Sequence, residues 1–412
     1  MHLSPIADAI PALAADCTPP LIHGTAALAH RAYEDHGLDD LLAFIDRGTD
    51  GPAEEAALSL DRAQAHALRF RYAEGETLQR RALAECRVFR VADAFARRSD
   101  RPLRLLALVA PGDLMVNTPL DFITTHLDVR LDLLFVVPGQ PLPPFVRDHD
   151  VAFFAVSESD PATLRRLGAL HAAWPRPVLN HPDAIARLAR DTVAVGLASV
   201  PGVCSPPALR VGREALLAHL SGAATVPLLD APALIRPVGS HGGQGLVKVH
   251  SAGDLSFYLD GIGVAEFFVT RFVDYRDSGG SYRKLRVAVI DGAPFLCHMA
   301  TSLHWMVHYL NAGMAESAAR RADEAHAMAA FDTGFAARHA RAFAGLNAWM
   351  GLDYFQIDCA DAPDGRLLVF EADVAAIIHL MDPPDLFPYK PAQMCRVFAA
   401  FDAMLRRRAG VA

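Results

Sequence analysis

The sequence predicts an α/β protein whose C-terminal half is α+β and whose N-terminal region is helical. Three observations carry this. Residues 5–100 are rich in Ala, Arg and Glu with apolar positions at helical spacing. Residues 101–180 alternate short apolar runs with helical stretches, the pattern of a parallel sheet. Beyond about residue 205, strand-like runs precede a helical stretch over roughly 313–350, a strand pair and a last helix.

In chain order, "MHLSPIADAIPALAADC" reads as a helix: it lacks a basic start, carries Asp8, and Asp16 precedes the cysteine, unlike a signal peptide. "ETLQRRALAECRVFRVADAFARR" keeps apolar residues at helical spacing without an internal Gly or Pro. At Leu103–Val109 the texture changes to a buried-strand run; "LDLLFVVPG" and "DHDVAFFAVSES" repeat it, and "RPVLN" is a short final strand. "NHPDAIARLARDTVAVGLAS" reads as a helix with Asn180 as N-cap and Pro182 in its first turn. Strands follow in "PALIRPV", "GLVKVH", "EFFVTRFVDY", "YRKLRVAVIDG" and "APFLCHMA". The last pair, "YFQIDCAD" and "RLLVFEAD", is joined by the hairpin-type turn "APDG", and a helix over about 391–408 ends the sequence.

Composition limits the function classes. The chain has 412 residues, 52% hydrophobic and 21% charged, enough for about two or three domains. A net charge of −8 argues against nucleic acid as the main partner. Six widely spaced cysteines with no CxxC pair make zinc knuckles and a disulfide framework poor fits, and suit reduced thiols in a cytoplasm. No apolar run is long enough to span a membrane.

"LIRPVGSHGGQGLVKV" is the most distinctive loop, with Gly239, Gly242, Gly243 and Gly245 between strand-like runs. It is no Walker loop, since Leu246 follows Gly245 where Lys is needed. It is no dinucleotide fingerprint, since no helix follows the glycines. It reads as a hairpin tip, either a mobile surface turn or a lid whose backbone N–H groups face phosphate. Arg236 stands at its base, as a surface arginine or a phosphate contact.

Glu371 and Asp373, two apart on a strand, share a face, and the "APDG" turn brings the Asp358 strand alongside. Three carboxylates on apolar strands are costly without a cation, and magnesium prefers carboxylates with phosphate oxygens. The alternative is a solvated sheet end. Lys284 and Arg286 also share a face and suit polyphosphate, or else form a solvated basic stripe.

Taken in order, these segments resemble the ATP-grasp superfamily over about residues 101–395. Beyond the helical region 1–100, the resemblance implies a small pre-ATP-grasp α/β domain 101–180 and an ATP-grasp domain 181–412. In that last domain a central lobe (about 181–265) and a C-terminal lobe (about 266–412) would sandwich ATP. It implies ATP contacts from Arg236, from Ser240, His241, Gly242, Gly243, Gln244 and Gly245 of the loop, and from Lys248, Lys284 and Arg286. Arg236 replaces the family's usual lysine, and Arg286 would meet the terminal phosphate. Backbone groups of Arg271, Phe272 and Val273 would read the adenine, although Arg271 departs from the family's acidic or amide residue. Asp358 and Glu371 would bind Mg2+ (or Mn2+), with Asp373 standing where the family has asparagine.

"CHMATSLHWMVHYLNAGM" is the least generic segment. His304 and His308, four apart, would share a helical face, but Trp305 excludes the zinc-protease HExxH pattern. The segment is either packing that holds a lid, or an acceptor pocket shaped by His298, His304, Trp305, His308 and Tyr309. In the second case His304 or His308 is a catalytic base for an incoming amine. "MDPPDLFPYK", preceded by His379, either caps the same site or is a plain Pro-rich loop.

The expected activity is a cytoplasmic, ADP-forming carboxylate–amine ligase using an acyl phosphate. Its substrate would be an amino acid, peptide or small carboxylic acid; no nucleic acid or membrane is expected, and a homodimer is left open. A kinase on the same fold, or a nucleotide-binding protein that docks a partner through its helical N-terminus, are the alternatives.

Overall fold

The computed structural model describes residues 9–15, 18–34, 36–92, 99–230, 232–240, 242–309 and 312–411. The chain is mixed α/β and folds as two compact units. The first comprises residues 1–186, Leu352–Tyr354 and Val374–Ala412; the second comprises Arg187–Gly351 and Phe355–Asp373. The helical N-terminal region, the 101–180 sheet and the last helix therefore share one unit. Among the described residues, no helix is long and apolar enough to cross a membrane.

In the first unit the strands are β1 (Ala12–Ala14), β2 (Leu21–Ile22), β3 (Val88–Val91), β4 (Leu103–Val109), β5 (Val129–Phe135), β6 (Phe145–Arg147), β7 (Val151–Phe154) and β8 (Val178–Leu179). Six of them form a sheet in the order β2-β3-β5-β4-β7-β8. The β5-β4-β7-β8 portion is parallel, as the alternating runs predict. All four residues of β7 are buried, as expected where both faces of a parallel sheet are covered. Phe153 of β7 packs against Tyr354 and against Phe401 of the C-terminal helix Lys390–Ala409.

Helices α1 (Thr25–Tyr33), α2 (Leu38–Ile45), α3 (Pro52–Leu68) and α4 (Tyr72–Glu85) fill most of the N-terminal region. Short helices α5 (Asp121–Thr124), α6 (Pro161–His171) and α7 (Pro182–Ile185) follow. Two N-terminal expectations need correcting. Ala12–Ala14 is a strand paired with β6, not helix, while residues 1–8, 16 and 17 lie outside the described residues. The run through Cys86 does not stay helical either. α4 ends at Glu85, and Val88–Val91 pairs with β5 on one side and β2 on the other, because its β-branched residues fit a sheet better than another helical turn.

Asn180 is not an N-cap. His181 caps α7, accepting from the Asp183 N–H, and the expected single helix breaks after Ile185. Asn180 sits at φ +59°, fully buried. Its Oδ1 accepts from the N–H groups of Asp353 (3.0 Å) and Tyr354 (2.9 Å), and its Nδ2 donates to the Tyr354 carbonyl (2.8 Å). The side chain thus acts as a short piece of strand, tying together two points far apart in sequence.

His149 gives this unit a pH dependence. It is 2% exposed; its Nδ1 lies 3.0 Å from the Arg147 carbonyl, and its Nε2 accepts from the Trp174 indole at 3.1 Å. A carbonyl only accepts, so Nδ1 carries the proton and Nε2 is bare. Burial holds this imidazole below its ordinary range. The unfolded chain therefore takes up the proton first, and stability present above about pH 6.5 is lost as pH falls from there toward the folded pKa. Unfolding midpoints between pH 7.5 and 5 should decline more steeply in the parent than in His149→Phe; parallel curves would place the proton elsewhere.

The second unit holds two sheets. Its strands are β9 (Val203–Cys204), β10 (Ala208–Gly212), β11 (Ala233–Pro237), β12 (Val247–Val249), β13 (Glu266–Arg271), β14 (Tyr282–Ile290), β15 (Ala293–Ser302), β16 (Tyr354–Asp361) and β17 (Leu367–Asp373). An antiparallel sheet runs β10-β13-β11-β12, and a five-stranded sheet runs β15-β14-β16-β17-β9. Helices α8 (Arg190–Leu197), α9 (Arg213–Leu220), α10 (Ala252–Gly261), α11 (Ala318–Ala330), α12 (Phe335–Arg338) and α13 (Ala340–Met350) complete it. Leu216 of α9, Leu259 of α10, and Ile235 and Phe267 of the first sheet share one buried cluster, so the hairpin β11–β12 stands on a rigid floor.

Candidate functional site

β11 and β12 pair antiparallel, Ala233 opposite Val249, so the glycine loop is a hairpin tip as its flanking runs predict. Gly239, Gly242, Gly243 and Gly245 all take positive φ. Gly245 shows why a side chain is excluded: at φ +63°, a Cβ would lie 2.8 Å from the Pro237 ring. Gly242, Gln244 and Gly245 are exposed, and His241 lies outside the described residues. Tyr258 of α10 ties the loop down, its hydroxyl donating to the Gly245 carbonyl at 2.7 Å.

Arg236 is 9% exposed, not a surface arginine. Its Nε donates to the Ser240 hydroxyl at 3.1 Å, its Nη2 donates to the Ser240 carbonyl, and the Ser240 hydroxyl donates to the Pro237 carbonyl. Burial, and after it the Arg190 charge, bring the Arg236 guanidinium down to about 10. It remains a cation at neutral pH.

The second sheet carries the carboxylates. Asp358 and Glu371 are direct partners across β16–β17, beside a bulge between Asp358 and Cys359. β14 and β15 bulge between Arg286 and Val287, with Arg286 opposite His298. Bulges re-aim side chains, and here they flank the charged cluster on neighbouring strands. Asp358 is 4% exposed. Its Oδ1 accepts from Arg286 Nε at 2.8 Å; its Oδ2 accepts from Lys284 Nζ at 2.8 Å and Arg286 Nη2 at 3.1 Å. The i, i+2 placement of Lys284 and Arg286 thus puts both cations on one carboxylate. Burial alone would raise the Asp358 carboxyl, but Arg286 and Lys284 outweigh it and hold it well below the usual range. Burial likewise opposes the Arg286 charge, and Asp358 more than offsets that.

Glu371 has its own cation, Arg190 at the start of α8, in a direct ion pair. Burial pushes the Glu371 carboxyl up and Arg190 brings it below its ordinary value. Asp373 contributes to the same field, adding to the stabilisation of the Arg286 charge. Among the described residues, no group of three His, Cys, Asp or Glu side chains stands arranged to hold a metal ion. The donor set that fits magnesium is the adjacent pair Asp358 and Glu371, completed by phosphate oxygens, which is how this ion is usually held.

The segment after β15 departs from expectation. Residues 303–306 form bends and 307 and 308 are irregular, so His304 and His308 do not share a helical face. Hydrogen bonds within the bend replace helical ones: the His304 N–H donates to Ser302 Oγ, and the Met306 N–H to His304 Nδ1. His304 is exposed, and its Nδ1 accepts within its own bend. His308 is half-buried within the field of Lys284, Arg286 and Asp358; burial, then Lys284, keeps its imidazole below the ordinary value and so neutral at pH 7.

Trp305 packs edge-on against Phe272 (centroids 6.0 Å apart), and Lys248 Nζ sits 3.5 Å from the same Phe272 ring centre. Tyr309 donates to Glu324, which is fully buried and also accepts from the Met299 N–H. At the end of β13, the N–H of Arg271 donates to the Pro207 carbonyl and that of Phe272 to the Pro232 carbonyl. Val273 is the one of the three whose N–H makes no backbone hydrogen bond among the described residues. The Arg271 side chain pairs with Asp230. His379 belongs to the first unit, its Nδ1 accepting from the Met381 N–H.

Arg190, Tyr258 and Glu324 went unnoticed in the sequence. Arg190 belongs to a run with Arg187 and lies 181 residues from Glu371, and only the β17 register reveals its partner.

No protein-family model matches this chain, and no curated protein does. Its structural neighbours are ATP-grasp proteins. One is D-alanine–D-alanine ligase from Bacillus anthracis complexed with ATP, 11% identical, over 74% of this chain and 96% of that one, TM-score 0.41. Another is VanG D-Ala:D-Ser ligase from Enterococcus faecalis, 12% identical, over 76% and 99%, TM-score 0.43. A third is an ATP-grasp RimK domain protein from Sphaerobacter thermophilus DSM 20745, 15% identical, over 73% and 99%, TM-score 0.38.

Proposed function

We propose that this protein is an ATP-dependent ligase that activates a carboxylate as an acyl phosphate and joins it to an amine. The substrate carboxylate would be that of an amino acid, a peptide or a small organic acid. One observation carries the reading. Asp358 is clamped by Lys284 and Arg286 beside the Arg190–Glu371 pair, and these three cations and two carboxylates are the groups that would hold polyphosphate and its metal.

With ATP bound, its phosphate oxygens would compete with Asp358 for Lys284 and Arg286, and with Glu371 for Arg190. The freed Asp358 and Glu371 are the residues that would hold magnesium. When bound, that ion would draw charge from the phosphates. Arg236, fixed through Ser240, would orient the loop whose N–H groups cover the phosphates. The substrate carboxylate oxygen would then attack the terminal phosphorus with ADP leaving, and Arg286 would stabilise charge on the transferring group. The amine nitrogen would attack the acyl carbon, releasing phosphate and one proton. His308, neutral at pH 7, would accept that proton.

ADP release against a panel of amino acids, short peptides and small carboxylic acids, with hydroxylamine as trap, tests the reading. A carboxylate-dependent hydroxamate is expected. ADP release that requires a hydroxyl acceptor and yields no hydroxamate would make the protein a kinase. Nucleotide binding without turnover across the panel would make it a sensor.

A further inference from the structure

The bent segment after β15 meets the glycine loop at a point the ligase chemistry does not use. Met306 is half-buried, and its Sδ lies 3.5 Å from where a Cβ on Gly243 would stand. Gly243 has φ +78° and no side chain, so the thioether faces bare loop backbone.

The shoulders of the loop are held by hydrogen bonds. Ser240 is tied to Arg236 and to the Pro237 carbonyl, and the Gly245 carbonyl accepts from Tyr258. The tip between them is open. Among the described residues, a Cβ on Gly242 would meet nothing within 4 Å, and the same holds at Gly239. Gly243 is where another element comes into contact range, and that element supplies Met306.

A seat must be firmer than what rests on it. Trp305 stands edge-on against Phe272, and its carbonyl accepts from the Tyr275 hydroxyl at 3.4 Å. The Met306 N–H donates to His304 Nδ1, and Val307 is buried. Tyr309 donates to Glu324, which is fully buried on α11. The loop tip, by contrast, is glycine at 242, 243 and 245, all at positive φ, with no side chains there to pack. Its position is set by what it leans on. An unbranched, polarisable thioether suits that role, since it adapts to an irregular surface.

We propose that Met306 is a positioning residue for nucleotide: its thioether seats the glycine loop at Gly243 in the arrangement that covers the phosphates. This rests on the reading that the loop covers ATP. The loop exchanges between seated and unseated arrangements, and Met306 sets the ratio. Nucleotide affinity then falls by the same factor as the seated share. Protease cutting in the tip rises with the unseated share.

Two measurements on the intact protein test this, and neither needs turnover. Subtilisin cleavage within Gly242–Leu246, without nucleotide and mapped by mass spectrometry, reads the unseated share. Calorimetric titration with AMP-PNP and magnesium reads the affinity. Met306→Ala is expected to be cut at least about threefold faster. It should also bind the analogue about fivefold more weakly. Met306→Leu, which conserves volume, should match the parent in both. Unchanged cleavage in Met306→Ala would overturn the proposal. So would faster cleavage with unchanged affinity, since the seat would then not serve nucleotide. A leucine variant as impaired as the alanine variant would overturn it too, because the lesion would lie in the fold of the segment. The expected pattern beside a failed hydroxamate assay would uphold the seat and remove the ligase reading alone.

Discussion

Asp358→Asn is expected to reduce ADP release more than about 100-fold, the several kcal/mol that a metal and its charge contribute to phosphoryl transfer. It is also expected to lower stability by about 3 kcal/mol. The second effect follows from the clamp. Asp358 is 4% exposed, while the Lys284 and Arg286 side chains retain 15% and 20%. Asparagine keeps the shape but leaves two largely buried cations facing a neutral amide that cannot accept from both as an anion does. Removing one partner of a buried ion pair costs more than the pair is worth, because the other is stranded. Urea unfolding of parent and variant measures the stability term, and ADP release well below the variant's unfolding midpoint measures the chemistry. A folded variant with parental turnover would remove Asp358 from the catalytic site. A variant with lost turnover and unchanged stability would mean that the two cations find other partners.

The clamp also shows what the sequence can reveal. The i, i+2 spacing of Lys284 and Arg286 and the hairpin joining Asp358 to Glu371 are period-two facts, and a strand leaves them little freedom. The glycine loop was legible for the same reason, since its flanking runs could only be a hairpin. What stayed hidden depends on distance along the chain or on competition between conformations. Arg190 reads like any helical arginine until β17 brings Glu371 to it. His304 and His308 look like a helical pair, yet Ser302 Oγ and His304 Nδ1 take the backbone N–H groups of His304 and Met306, and the chain bends. Asn180 resembles an N-cap by residue type, but its partners at Asp353 and Tyr354 lie 173 and 174 positions away.

Gly196→Ala should be the most damaging single-methyl change in the second unit, costing about 1–3 kcal/mol and reducing ADP release as well. A Cβ at Gly196 on α8 would lie 1.9 Å from the Trp349 ring of α13, with two more ring atoms at 2.2 and 2.6 Å. Trp349 cannot simply swing aside, because Arg187 stacks over its ring and donates to the Met350 carbonyl. α8 must therefore move away from α13, and Arg190 starts that same helix. Displacing α8 pulls Arg190 from Glu371, so a packing lesion becomes a charge lesion in the site. Gly253→Ala on α10 is the matched control. Its nearest neighbour for a Cβ is Ser251 Oγ at 3.6 Å, ordinary contact, so alanine should raise stability by about 0.4–1 kcal/mol through the unfolded chain alone. Urea midpoints that move in opposite directions for the two variants, with ADP release lost only in Gly196→Ala, are the expected pattern. Equal shifts would show that α8 can slide over Trp349, and the close approach would then not be what holds Arg190 in place.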